Sequence, residues 1–278
     1  MDKYGLIGHP LGHSMSPLIH EKLFELSGIS DYSYELIDID PADLTSRIEE
    51  LRGLRGFNIT IPHKTAIIPF TDELGESALR YNSVNCISNS GGKMVGYNTD
   101  CDGFLRSAET LPLGGKVVLI GCGGVGRMIA IEAALHGAEL TIAVIPQDFK
   151  NAQLVMAEII AKCKDASVRI CTVDELSGRF DLLINATPVG MYPKTEACAV
   201  SDEIIENCGS FFDVIYNPTE TLLMKKARAL GKTAVGGASM LVYQAVKAHE
   251  YWYGGKFAQE DIAKIVLDVE EHVNAMNK

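Results

Sequence analysis

The stretch that most narrows what this chain can fold into is Lys116-Val-Val-Leu-Ile-Gly121, running directly into Gly121-Cys-Gly-Gly-Val-Gly126. An unbroken apolar run of this length, without alternation, reads as a parallel strand covered on both faces. The glycines after it permit a tight turn and a close approach of backbone to a pyrophosphate. The helix patterned over 128–135 would place its positive end there. A bare G-x-G-x-x-G is weak evidence. Between a strand and a helix it points to dinucleotide binding at Gly121, Gly123, Gly124 and Gly126, the alternative being only a tight turn. Further apolar runs at 140–145, 181–186 and 211–216, with helical segments between them, complete the pattern of a doubly wound sheet.

Ahead of the polar break Leu113-Gly-Gly115 the grammar differs. Strand signals at 4–7, 34–39 and 58–61 alternate with helix signals at 17–26 and 41–51, the former with Leu18, Ile19, Leu23 and Leu26 on its apolar side. Residues 84–97 form two apolar runs around Gly91-Gly92, a hairpin. Such alternation predicts an α/β layer with mainly parallel strands. The tail is helical over 239–254 and 259–273, with Leu241, Ala245, Ala248 and Trp252 on one face.

Within this half Asn58-Ile-Thr-Ile61 alternates like a strand with one buried face, and Pro62, which cannot donate a ladder bond, should end its pairing. Lys64 then stands just past the strand's carboxyl end, the edge at which open α/β sheets bind ligands. The alternative is a solvated lysine opening the next helix. Asp100, closing Gly96-Tyr-Asn-Thr-Asp100, can orient an ammonium, and such a pair can protonate a carbonyl oxygen while hydride reduces its carbon. Ser16 reads as the cap of the first helix, with Pro17 at its first position, which leaves Ser14 uncommitted. Two hydroxyls at a positively polarised helix start suit a carboxylate. Asn85 on the hairpin is a further candidate. So is Gln244, polar within an apolar helical stretch, for which solvent exposure is the alternative.

A net charge of −11 over 278 residues disfavours nucleic acid and anionic membrane as partners. No apolar run approaches a membrane span. Seven scattered cysteines without a C-x-x-C pair suit the reduced thiols of a cytoplasm better than disulfides or a structural zinc. The opening Met1-Asp-Lys-Tyr-Gly-Leu-Ile-Gly8 has no signal-peptide character. The expectation is a cytoplasmic protein acting on a small molecule, a monomer or homodimer, without metal.

The motifs H-S-x-S-P from His13, N-I-T-I-P-H-K ending at Lys64, S-V-N ending at Asn85, G-Y-N-T-D, G-x-G-G-x-G, N-A-T-P-x-G-M from Asn185 and M-L-V-Y-Q ending at Gln244 occur in the order found in shikimate dehydrogenases. Over nearly its whole length the chain resembles that family. The resemblance implies an α/β substrate-binding catalytic domain at 1–102, completed by C-terminal helices at 239–278, with a Rossmann domain at 103–238. It implies reversible NADPH-dependent reduction of 3-dehydroshikimate to shikimate, in chorismate and aromatic amino-acid biosynthesis. Ser14 and Ser16 would bind the substrate carboxylate, and Thr60, Asn85 and Gln244 its ring hydroxyls. Lys64 and Asp100 would transfer the proton, with Tyr216 near the substrate. Asn185, Thr187, Gly190, Met191 and Gly237 would lie on the nicotinamide side, although a plain strand end and turn is the alternative for 185–190. One departure stands out. Val144-Ile145-Pro146 replaces the family's Asn-Arg-Thr clamp for NADP, and Phe149, with Lys150 beside it, falls near a later basic position. Without a guanidinium fork, discrimination for the 2′-phosphate weakens, so NAD is an alternative cofactor. A quinate/shikimate or aminoshikimate dehydrogenase paralogue is the neighbouring reading, and a non-catalytic metabolite sensor the reading from another class.

Overall fold

The computed structural model describes residues 1–12 and 14–277, and every side chain among them except that of Ser90. His13, which opens H-S-x-S-P, lies outside the described residues. The elements of the first hundred residues are β1 (Asp2–Gly8), α1 (Ser16–Leu26), β2 (Tyr32–Asp38), α2 (Leu44–Arg52), β3 (Gly56–Ile59), α3 (His63–Ala66), β4 (Glu73–Leu74), α4 (Glu76–Tyr81), β5 (Cys86–Ser90), β6 (Lys93–Tyr97) and α5 (Asp100–Ser107). There follow β7 (Lys116–Ile120), α6 (Gly124–Leu135), β8 (Glu139–Val144), α7 (Phe149–Lys162), β9 (Ser167–Thr172), β10 (Phe180–Asn185), α8 (Asp202–Glu206), β11 (Cys208–Asp213), α9 (Leu222–Ala229), β12 (Thr233–Gly236), α10 (Gly237–Tyr253) and α11 (Gln259–Met276). They divide into two compact units, Met1–Gly103 with Val242–Val269, and Phe104–Leu241 with Glu270–Lys278.

The first unit holds a six-stranded sheet in the order β2-β1-β3-β5-β6-β4. It is parallel-rich, as expected, with one antiparallel strand: β1 runs parallel to β2 and β3, and β4 to β6, while β5 is antiparallel to both β3 and β6. The hairpin returns the chain at once, whereas a parallel neighbour would need a crossover. Strand β3 corrects the expectation of a one-faced strand over 58–61. It is buried along its whole length and ends at Ile59. Phe57 and Ile59 pack with Ile48, Leu51 and Ile87 on one face, while Tyr4, Cys86 and Trp252 pack on the other. The alternation of Asn58 through Ile61 therefore does not mark an outside, and Ile61 itself is 74% exposed, beyond the end of β3, where its backbone O still accepts the His9 N–H at 3.0 Å and the chain turns.

Gly56 leaves room for the indole of Trp252, whose Nε1 donates to Ile87 O at 2.9 Å. A Cβ at Gly56 would stand 2.3 Å from that nitrogen. Emptying the indole's place would cost about 3–5 kcal/mol. Helix α1 buries Ser16, Ile19, His20, Leu23 and Phe24, a stripe of helical spacing. Leu26, expected inside, is exposed, and the buried stripe includes a histidine. His20 Nδ1 meets His249 Nε2 at 2.8 Å, His249 Nδ1 meets the Tyr253 hydroxyl, and that hydroxyl lies 3.0 Å from Ser27 Oγ. Ser27 donates its one proton to Leu23 O at 2.9 Å. The polarity follows: Tyr253 donates to Ser27, His249 to Tyr253, and His20 to His249, with both imidazoles neutral.

The second unit meets the expectation of a doubly wound sheet. Its order is β12-β11-β10-β7-β8-β9 with every pairing parallel. The chain reverses direction of winding between β7 and β10, the point at which such sheets bind ligands. Val118, Ile120, Ala143, Leu183 and Phe211 face Ile204, Ile205, Leu223 and Ala227 of α8 and α9. Among the described residues no helix is long and apolar enough to cross a membrane.

The histidine pair makes a pH prediction. Burial pushes His20 down to about 3, and burial together with the neighbouring His20 pushes His249 well down. Between pH 6.5 and about 3 the unfolded chain then holds more protons than the folded one, so stability falls as pH falls. At pH 5 the loss from His20 is roughly 2 kcal/mol, and His249 acts in the same direction. Melting temperatures of the wild type and His249→Phe, followed from pH 7 to pH 5, should fall more shallowly in the variant; parallel curves would assign the acid sensitivity elsewhere.

Candidate functional site

The start of α5 gathers the polar residues of the first unit. Asn98 Oδ1 accepts the Asp100 N–H at 3.1 Å, a short turn that fixes the helix entry. Its Nδ2 donates to Ser83 O at 3.2 Å. Asn85 precedes β5 and is 3% exposed. Its Oδ1 accepts the Thr99 N–H at 2.6 Å, so the amide can point only one way: Nδ2 donates to Asp100 Oδ1 at 2.8 Å. The other oxygen of Asp100 accepts from Lys64 Nζ at 2.7 Å. Lys64, in α3, is held from the backbone side as well, since Val84 N donates to Lys64 O at 2.7 Å.

Lys64 and Asp100 are 26% and 19% exposed, open enough to meet a small molecule. At that exposure the ion pair contributes little to stability; its consequence is orientation. Gln244 joins the same group, its Oε1 lying 3.4 Å from Thr99 Oγ1, and it is buried rather than solvated. The structure thus brings Lys64, Asp100, Asn85 and Gln244 together. Asn98 and Thr99 were missed by sequence reasoning, although they stand within the quoted Gly96-Tyr-Asn-Thr-Asp100.

The two serines exchange roles relative to expectation. Helix α1 starts at Ser16 with Met15 as its cap residue and no side-chain cap at that position. It is Ser14 Oγ that accepts the Ser16 N–H, at 3.2 Å. Ser16 is buried, and the Tyr34 hydroxyl donates to Asn58 Oδ1 at 3.0 Å. With the helix starting at Ser16 itself, one residue before Pro17, Ser16 stands inside the first turn rather than at the cap. Thr60 lies beyond β3, its methyl packed where a Cβ on Gly8 would fall.

In the second unit the glycine loop separates into two kinds of position. Gly121 has φ +88 and stands against Thr187, and a Cβ on Gly126 would lie 2.5 Å from Gly121 O; these glycines shape the turn. Side chains at Gly123 and Gly124 would meet nothing within 4 Å. Their bare backbone, at the start of α6, leaves a cradle that fits a pyrophosphate. The neighbouring α7 is tied to this loop by Asn151 Nδ2, which donates to Cys122 O at 2.6 Å. Val144, the last residue of β8, is buried and Ile145 beyond it is exposed. Lys150, in the first turn of α7, is exposed and has no carboxylate partner among the described residues.

Asn185 ends β10 with Oδ1 accepting from Thr187 N at 3.1 Å and from Thr187 Oγ1 at 2.7 Å. Its Nδ2 donates to Asp213 Oδ1 at 3.0 Å and to Val189 O at 3.3 Å. Gly190, with φ +96, follows in this loop, and Met191 and Val189 are exposed at it. Gly237 packs its Cα so closely that a Cβ would stand 2.2 Å from Val214 O. Tyr216 is half-buried, and burial raises its phenol. Asp213, at the end of β11, was missed; the signal available was a carboxylate closing the otherwise apolar Phe211-Phe-Asp-Val-Ile215.

Comparison with known proteins identifies the family. Residues 6–87 match the family model described as the shikimate dehydrogenase substrate binding domain. A shikimate dehydrogenase (NADP(+)) of Caldanaerobacter subterraneus subsp. tengcongensis is 36% identical over 264 residues, covering 92% of this chain and 93% of the relative. The crystal structure of a chorismate mutase/shikimate 5-dehydrogenase fusion protein from Clostridium acetobutylicum superposes with a TM-score of 0.86 at 33% identity, over 98% of both chains. A shikimate dehydrogenase in complex with NADP+ gives 0.84 at 33% identity, over 96% of this chain and 95% of that one. The chain belongs to the shikimate dehydrogenase family.

Proposed function

We propose that the chain catalyses the reversible reduction of 3-dehydroshikimate to shikimate with NADPH. Residues 1–102 with helices 239–278 would hold the substrate, and 103–238 the dinucleotide. The observation that carries the reading is the 2.7 Å contact of Lys64 Nζ with Asp100 Oδ2, in a carboxylate whose second oxygen Asn85 already occupies. When bound, the reduced nicotinamide supplies the hydride. The Lys64 ammonium delivers the proton to the ring ketone's oxygen as it becomes a hydroxyl, and takes it back in the reverse direction. Asp100 orients the amine and offsets its charge. Ser14 and Ser16 hold the substrate carboxylate, and Thr60, Asn85 and Gln244, with Tyr216, hold its hydroxyls. On the cofactor side Gly123 and Gly124 cradle the pyrophosphate. Asn185, Thr187, Gly190, Met191 and Gly237 position the nicotinamide half.

NADP is the cofactor named for the relatives. In this chain no guanidinium stands at Val144-Ile145-Pro146. The 2′-phosphate then rests on Lys150 and the α7 start, a point charge in place of a fork.

Initial rates of dinucleotide reduction with shikimate and with quinate, each against NADP and NAD, test the whole reading. Turnover should be fastest with shikimate and NADP; a preference for quinate would move the chain to the paralogous branch, and binding without turnover to a sensor. Lys64→Ala should lower kcat by about 10²–10⁴ while KM for shikimate moves only a few-fold. A change confined to KM would make Lys64 a binding residue. Lys150→Ala should weaken NADP by about tenfold and leave NAD unchanged, read from dissociation constants at fixed salt. Equal effects on the two dinucleotides would dismiss the role given to Lys150.

A further inference from the structure

Asp213 is a fully buried carboxylate with no cation within ion-pair distance among the described residues. Three donors surround it instead. Asn185 Nδ2 and Ile215 N reach Oδ1 at 3.0 and 3.1 Å, and Thr221 Oγ1 reaches Oδ2 at 2.7 Å. Each donor belongs to a different segment at the carboxyl ends of the strands. Asn185 organises the loop through Thr187 and Val189. Ile215 lies in the turn to Tyr216, and Ile215 O accepts the Gly237 N–H at 3.1 Å. Thr221 caps α9, accepting the Met224 N–H at 3.3 Å. A carboxylate taken out of water without a counter-charge is expensive, and three directed donors are what make it tolerable. The same three bonds fix the segments relative to one another, because none of the donors has another acceptor of equal strength. A hydrophobic residue here would leave the Thr221 hydroxyl and the Ile215 N–H without their acceptor, and would leave Asn185 only its longer bond to Val189 O.

We infer that Asp213 is a positioning residue for the nicotinamide half of the dinucleotide, acting through the loop at Asn185–Gly190 and the turn at Val214–Tyr216. The inference rests on the functional reading above, which puts the nicotinamide beside those segments. It assigns Asp213 no contact with the cofactor and no part in proton transfer. The adenosine half belongs to different segments, the glycine loop and the start of α7, which Asp213 does not touch. The two halves of the dinucleotide therefore depend on Asp213 unequally.

That inequality is the test. Dissociation constants are measured by titration calorimetry for NADP+ and for adenosine 2′,5′-bisphosphate, which keeps the 2′-phosphate and lacks the nicotinamide. Asp213→Ala should weaken NADP+ by about tenfold or more and change the bisphosphate less than about twofold. Thr221→Val, which removes one donor, should show the same split at about threefold and serves if the alanine variant does not fold. Equal losses for both probes would mean that Asp213 only holds the unit together, and an unchanged NADP+ affinity would mean that the loops stand without it; either overturns the proposal. A wild-type protein that binds neither probe overturns the dinucleotide reading, and this inference with it.

Discussion

The first unit depends on the hydrogen-bond inventory of one buried amide. Asn85 donates its N–H to Tyr97 O at 3.0 Å and accepts from Ile59 N at 2.8 Å, which places it between the antiparallel neighbours of β5. Its side chain then spends both ends, one on Thr99 N and one on Asp100. Burial makes each of these bonds costly to lose. One residue thereby sets where the hairpin, the entry of α5 and the Lys64–Asp100 pair stand with respect to each other. A lysine on a short helix and an aspartate at a helix start are loosely placed parts in isolation. Their geometry here is inherited from a sheet that cannot shift.

The second unit solves the corresponding problem with a carboxylate. Asn85 and Asp213 both stand at or beside strand ends, both are excluded from water, and both bind backbone and side-chain groups of neighbouring loops. The two units differ in what is exposed next to these residues. Beside Asn85 lies a partly open ion pair whose amine can exchange a proton. Asp213 instead meets three neutral donors, Asn185, Ile215 and Thr221, which suit it to orientation.

Aromatic and imidazole rings fill the remaining volume of the first unit. Trp252, Tyr4, Phe24, Tyr34, His20 and His249 form a contiguous ring cluster. Tyr34 belongs to it, against His20 of α1 and Trp252 of α10, and its hydroxyl donates to Asn58 of β3, so the packing of both helices is tied to the sheet. A buried pair of neutral histidines is a polar solution where a hydrophobic one was available, and its consequence is sensitivity to acid.

The doubly wound half was legible before any coordinates, because its signals are local. Unbroken apolar runs mark strands covered on both faces, and a glycine turn between strand and helix marks the phosphate edge. Lys64, Asp100, Asn85 and Gln244 were nameable from motif order, yet spacing alone left Lys64 open to a solvated reading and Gln244 to an exposed one. Only the tertiary structure decided those points, since the 36 residues separating Lys64 from Asp100 and the 145 separating Thr99 from Gln244 carry no local record of contact. The same limit explains the errors. Period-two alternation at Asn58–Ile61 cannot reveal that Trp252, nearly two hundred residues on, covers the polar phase of the strand. Nor can a cap motif at Ser16 reveal that the helix begins at Ser16 itself and that Ser14 accepts its N–H. Asp213 was invisible for the opposite reason: within an apolar run a single acid reads as noise until the three donors around it are seen.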